Sequence, residues 1–179
     1  MLDISKFVLE IVRKDTNLSW LNNNYEKFVS LLIPQLKMLL ENKTFIVITD
    51  SERHWFGEYI ISSINLKVEK RPLLPFFLLD NLYPNISKAQ KNDLIYLNDM
   101  LNIAFKDGIN YFYIGKNKHY LLDFISGYDD NYLWVLDEEF DNSIYFNSED
   151  EKLNHKLIGL FGVLDKCIEK TIFGEIIIP

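Results

Sequence analysis

The run Phe45-Ile46-Val47-Ile48 is apolar at every position. A strand with one face in water alternates apolar with polar residues, so an unbroken apolar run requires cover on both faces. It predicts a central parallel strand lying between layers of helix. Tyr111-Phe112-Tyr113-Ile114 and Tyr132-Leu133-Trp134-Val135-Leu136 have the same character, and helical patterns separate all three. The expected class is α/β, a three-layer sandwich with a mainly parallel central sheet flanked by helices.

Ile4, Phe7, Val8, Ile11 and Val12 fall at the spacing that makes one apolar stripe on a helix. A longer stripe from Leu21 to Leu40 contains Pro34, whose missing N–H and ring clash predict a bend or break. A helix follows over Glu52 to Asn65, then a strand over Leu73 to Leu79. The next helix is opened by Ser87, with Gln90 at capping-box spacing, and ends before Gly108. A short helix is expected from Lys118 to Ser126, stopped by Gly127. A fifth strand is expected over Ser143 to Asn147, its direction open because only Asp137 to Asn142 separate it from the fourth. The last helix is read from Ser148, with Glu151 as capping partner, its stripe from Leu153 to Ile172 covering a sheet face or an oligomer seam.

Nothing in the 179 residues divides the chain, and that length suits a single domain. Acidic residues number 26 against 19 basic, a net charge of −7, and only Arg13, Arg53 and Arg71 are arginines, which argues against a duplex-coating surface. The sole cysteine, Cys167, can form no internal disulfide, and Met1-Leu2-Asp3 lacks the basic flank of an export signal. No apolar run approaches the roughly 20 residues of a membrane helix. A soluble cytoplasmic protein is expected.

In an open α/β sheet ligands bind outside the carboxyl ends of the strands. The loops there read Thr49-Asp50-Ser51, Asp80-Asn81, Gly115-Lys116 and Asp137-Glu138-Glu139. A phosphate cradle needs glycines so that backbone N–H groups can converge on the anion. The first glycine in the chain is Gly57, already within a helix, so neither a G-x-G-x-x-G nor a P-loop exists and no nucleotide cofactor is expected. Asp50, Asp80 and Asp137 suit Mg²⁺ by residue type, but aspartates at strand exits ordinarily satisfy free backbone donors, and no metal is expected. His54, His119 and His155 lack a second ligand at zinc spacing. His54 and Glu58, one helical turn apart, suit an acid–base pair but more commonly form a surface i,i+4 pair. Cys167 reads as a buried structural thiol, and no G-x-S-x-G elbow is present. No catalytic residue is assigned.

The segment Ser51-Glu52-Arg53-His54-Trp55-Phe56 instead places Arg, His and Trp where an enzyme of this class keeps small residues, so that end of the sheet reads as filled. Arg and Trp anchor protein interfaces, so Ser51, Arg53, His54, Trp55 and Phe56 are candidate partner-binding residues, Arg53 and His54 pointing outward. Trp55 and Phe56 read equally well as a cap on the core. The C-terminus, Thr171-Ile172-Phe173-Gly174-Glu175-Ile176-Ile177-Ile178, is a second apolar excess that calls for burial in its own fold or contact with another chain.

Asp50-Ser51-Glu52-Arg53-His54-Trp55-Phe56, Tyr59-Ile60, Arg71-Pro72-Leu73-Leu74 and Leu133-Trp134 together resemble the HobA family of DnaA-binding initiation factors of epsilonproteobacteria. The likeness spans essentially the whole chain. It implies an SIS-like, Rossmann-like fold, a homotetramer or failing that a dimer, and a non-enzymatic scaffold that holds several DnaA N-terminal domains and promotes their assembly at the replication origin, touching DNA only through DnaA. By similarity to the related protein DiaA, Ile172 and Phe173 belong to the DnaA-contacting surface. The alternative is a phosphosugar isomerase or sugar-phosphate sensor, with Ser51 in the phosphate site and His54 or Glu58 as base. A Mg²⁺-dependent hydrolase using Asp50 and Asp137 stands third.

Overall fold

The computed structural model describes residues 2–66, 71–117 and 119–179, and of Lys91 the backbone alone. In chain order the elements are β1 (Leu2–Asp3), α1 (Ile4–Lys14), a 3₁₀ segment (Thr16–Leu21), α2 (Tyr25–Leu40), β2 (Thr44–Thr49), a 3₁₀ turn (Ser51–Arg53), α3 (His54–Asn65), β3 (Phe76–Leu78), α4 (Leu79–Leu82), a 3₁₀ turn (Ile86–Lys88), α5 (Lys91–Ala104), β4 (Ile109–Lys116), α6 (Tyr120–Ile125), β5 (Asn131–Leu136), β6 (Ser143–Phe146), α7 (Leu153–Ile172) and β7 (Ile176–Ile177). Two compact units emerge, one of Met1–Leu40 with Phe146–Pro179, the other of Glu41–Tyr145.

The central unit carries a five-stranded sheet of order β3-β2-β4-β5-β6 flanked by helices, and the β2–β3, β2–β4 and β4–β5 pairings are parallel. Phe45 to Ile48 form the buried middle of β2, as their unbroken apolarity requires. On one face Ile46, Ile48, Tyr111, Tyr113, Leu133 and Val135 join the buried leucines of α4, α5 and α6 in a single cluster. On the other, Phe56 of α3 lies 6.2 Å from Trp134, which meets Phe112 edge-on at 5.2 Å. Each fully buried side chain of this size contributes about 1.5–3 kcal/mol. Because the chain leaves β2 for β3 and returns on the far side to β4, the sheet reverses its winding between β2 and β4, the place where such folds position ligands.

The terminal unit is helical. Buried faces of α1 (Ile4, Val8, Val12), α2 (Phe28, Val29, Leu32, Leu36, Leu39) and α7 (Leu157, Leu160, Phe161, Leu164, Ile168) make its core. The isoleucine tail is partly absorbed here: Ile176 is buried and pairs in parallel with Leu2. Pro34 does not break α2. It stands on the exposed face opposite the stripe, with Ser30, whose carbonyl loses an N–H partner, exposed as well.

Several boundaries differ from expectation. The 3₁₀ turn Ile86–Lys88 absorbs Ser87, and α5 opens one turn later, where the Gln90 N–H donates to Asp93 Oδ2 at 2.8 Å. Likewise α7 starts at Leu153, not Ser148, because Asn147 and Asp150 turn their side chains onto the Glu149 and Lys152 N–H groups at 2.9 and 2.8 Å and hold the chain in turns. The strand expected over Leu73 to Leu79 is confined to β3, Leu79 already beginning α4. The Lys118 start expected for α6 lies outside the described residues. Beyond β5, Asp137 and Asn142 take positive φ of 72° and 54° on the way to β6 at the sheet's edge.

Candidate functional site

At the winding reversal β2 runs out at Thr49 and Asp50 caps the following 3₁₀ turn, the i,i+3 spacing folding Arg53 back over it. Asp50 Oδ1 accepts from the Arg53 backbone N–H at 3.1 Å and from Nε at 2.6 Å; Oδ2 accepts from Arg53 Nη2 and, at 2.8 Å, from the backbone N–H of Lys116 at the end of β4. Both partners are 5% exposed. Glu52 extends the network outward, accepting from Arg53 Nη1 at 3.1 Å and Lys116 Nζ at 3.0 Å. Burial pulls the Arg53 pKa down, but the Asp50 bond and charge, helped by Glu52, outweigh it and hold the guanidinium above its usual range. The Lys116 ammonium and then Arg53 hold the Glu52 carboxyl below the usual range.

Gly115 completes the corner. A Cβ there would stand 2.6 Å from the Tyr113 hydroxyl and 2.9 Å from Asp50 Oδ2, so only glycine lets β4 close over the carboxylate. The Tyr113 hydroxyl donates to the Lys116 carbonyl at 2.8 Å, and burial, then the Asp50 charge, raises its pKa.

Beside this corner lies a cleft of about 510 Å³ lined by Ser51, His54, Asp80, Ser87, His119 and Tyr120 among others. His54 stands between carboxylates, Nδ1 3.0 Å from Asp80 and Nε2 3.5 Å from Glu58. His119 packs on Tyr120 at 4.8 Å between ring centroids, and burial holds its pKa below the usual value. Asp50 and Asp80 face the cleft but Asp137 does not, and among the described residues no group of three or more His, Cys, Asp or Glu side chains stands close enough to hold a metal. Asp80 brings a partly exposed carboxylate to this cleft, which disfavours a phosphate group, whereas the Asp50 charge is answered by Arg53. Asp50, already accepting four hydrogen bonds, could act as base or ligand only by releasing Arg53. Cys167 is buried, its thiol pushed up to about 12 by desolvation, as suits a structural residue.

A family description, HobA: DNA replication regulator, matches residues 1–178. The chain belongs to the HobA family. A relative of that family, the DNA replication regulator protein HobA of Helicobacter pylori, is 24% identical over 161 residues, covering 88% of this chain and 86% of the relative. The crystal structure of Helicobacter pylori HobA and that of its complex with DnaA domains I–II share the HobA fold seen here, each at a TM-score of 0.77 and 22% identity over 99% of both chains.

Within this HobA-type fold, the six-residue block read as an interface divides sharply. Arg53, expected to point outward, is buried, because Asp50 three residues earlier offers a carboxylate at the strand exit. Phe56 is wholly buried against Trp134, whereas Trp55, about 100° around the helix, is 40% exposed. Ser51 is exposed and His54 half-buried. Tyr59, one turn after Trp55, is exposed on the same face, a placement the i,i+4 spacing carries in the sequence. In the terminal unit, Ile172 is half-buried and Phe173 is 51% exposed immediately past α7. Among the described residues no helix is long and apolar enough to cross a membrane.

Proposed function

We propose that this chain is a non-enzymatic cytoplasmic scaffold that binds DnaA N-terminal domains and, as a homotetramer, gathers several of them for assembly at the replication origin. The reading is carried by the family match over residues 1–178. It is supported by the solved complex of Helicobacter pylori HobA with DnaA domains I–II, a protein of the same fold. Asp50, Arg53 and Lys116 occupy the winding reversal with a closed ion-pair network, which suits a binding protein better than a catalyst at that place. Closed symmetry repeats one patch, and tethering several DnaA molecules raises their effective concentration toward one another. DNA is engaged through DnaA alone.

Ser51, His54, Trp55 and Tyr59 form the surface we assign to DnaA or to the subunit seam in the central unit, with Arg53 and Phe56 holding it from beneath. Ile172 and Phe173 form the corresponding surface of the terminal unit. Titrating variants with DnaA N-terminal domains while following mass by light scattering tests the assignment. Ile172→Ala with Phe173→Ala is expected to weaken binding about tenfold or more in an intact tetramer. Dissociation of the tetramer would move those side chains to the subunit interface, and unchanged binding and mass would remove them from both.

A further inference from the structure

The exposed face of α3 has a repeat of its own. Trp55, Tyr59, Ser62 and Leu66 follow one another at intervals of four, three and four residues, the spacing of a helix-pairing seam. At about 100° per residue they lie within about 60° of one another around the helix, Leu66 keeping helical backbone angles as its C-cap. Trp55, Tyr59 and Ser62 are exposed, and Leu66 is 77% exposed. The Trp55 and Tyr59 rings rest on buried Phe56, 5.4 and 6.0 Å between centroids, so they are held in place before any partner arrives. The Ser62 hydroxyl donates back to the Glu58 and Tyr59 carbonyls at 2.8 and 3.0 Å, which leaves a small, satisfied step in the ridge.

We infer that this ridge is a two-fold seam against α3 of a second copy of the chain, the two helices antiparallel. An axis between residues 60 and 61 sets Trp55 against Leu66 of the second copy and Tyr59 against its Ser62, each pair occurring twice. The bulky phenol thus meets the smallest side chain of the ridge, as interdigitation requires. Glu58 is the only carboxylate of α3, and the same axis sets it against Ser63 of the second copy, not against itself. The Asn65 side chain bonds the Leu74 backbone at 2.9 and 3.2 Å, which continues the apolar surface at this end of α3 with a segment whose Leu73 is 68% exposed. Another exposed ridge, Tyr96, Met100 and Ile103 of α5, has Asp99 beside its midpoint, so self-pairing there would bring two carboxylates together.

This assignment rests on the scaffold reading and divides its surface. Trp55 and Tyr59 pass to the seam, while Ser51 and His54 stay at its end, where Leu66 of the second copy supplies one wall of a DnaA site. An opened seam therefore weakens DnaA binding as well.

The test is the mass of the full chain by light scattering over a dilution series, with circular dichroism to confirm the fold. Ser62→Tyr sets two phenols face to face, and Leu66→Asp puts a carboxylate against Trp55; both positions are exposed. Each is expected to halve the mass at concentrations where the unaltered chain is assembled, raising the dissociation constant about tenfold or more. Exchanging the two residues in one chain, Tyr59→Ser with Ser62→Tyr, again sets one phenol against one small side chain and should restore the mass. Unchanged mass in both single variants overturns the seam, as does a folded exchange variant that stays at half mass or an unaltered chain that stays monomeric. DnaA N-terminal domains added to the same samples decide the scaffold separately. An unaltered chain that assembles through this seam without binding them keeps the seam and loses the scaffold; binding at full mass in every variant keeps the scaffold and loses the seam.

Discussion

Two polar clusters of this molecule, the Asp50 corner of the central unit and the Trp20 cavity of the terminal unit, begin from similar residues and reach opposite ends. In the first, the Asp50 carboxylate takes four hydrogen bonds from the Arg53 guanidinium and two backbone N–H groups, and Gly115 lets β4 close over them. In the second, the Asp150 carboxylate answers Lys156 while the Trp20 indole N–H stays without an acceptor. The first closes every polar contact at its centre and the second leaves one buried donor without an acceptor. Residue type did not separate them; hydrogen-bond bookkeeping did.

The comparison breaks most visibly at Arg53. Arg53→Ala leaves the Asp50 carboxylate buried and unpaired, and urea denaturation should show a loss of about 3–5 kcal/mol. A loss below about 1 kcal/mol would mean that Asp50 does not depend on its partner. Next in size is Gly115→Ala, whose methyl meets the Tyr113 hydroxyl and Asp50; the expected cost is about 1–3 kcal/mol, part of it recovered in the double variant with Tyr113→Phe. Full stability of the single variant would contradict the tight closure of β4.

Trp55→Ala with Tyr59→Ala separates the exposed face from the buried corner. DnaA affinity should fall about tenfold or more while stability changes by roughly 1 kcal/mol or less. The smallest effect concerns His119. Burial lowers its pKa in the folded chain, so below the ordinary value near 6.5 the unfolded chain takes up the proton first and stability declines as pH falls through the folded pKa. Melting temperature followed between pH 7 and 5 should fall less in His119→Gln than in the unaltered chain. Identical slopes would show that the imidazole is as well solvated as in the unfolded state.

The sheet was legible in the sequence because burial on both faces leaves an unbroken apolar run, and β2, β4 and β5 all carry one. Helix openings were less legible: Ser87 and Ser148 have capping-box partners at the right spacing, yet Asn147, Asp150 and Gln90 supply competing caps, and spacing does not rank them. The two-residue strands Leu2–Asp3 and Ile176–Ile177 are too short to leave any period. At the candidate site, Trp55 and Phe56 are adjacent in sequence and part by a helical rotation that only the docking of α3 decides. Arg53 reads as outward-pointing because an arginine beside a helix start is ordinarily solvated. Its inward turn depends on Asp50 at i−3 and on β4 arriving alongside, and the second is a long-range fact.

The most direct test of the scaffold reading is calorimetric titration of the whole protein with DnaA N-terminal domains from the same organism, with the mass of the complex measured by light scattering. Binding at about one DnaA per subunit, to a particle of four subunits, is the result the account predicts. A folded oligomer that releases no heat and gains no mass with those domains would contradict it.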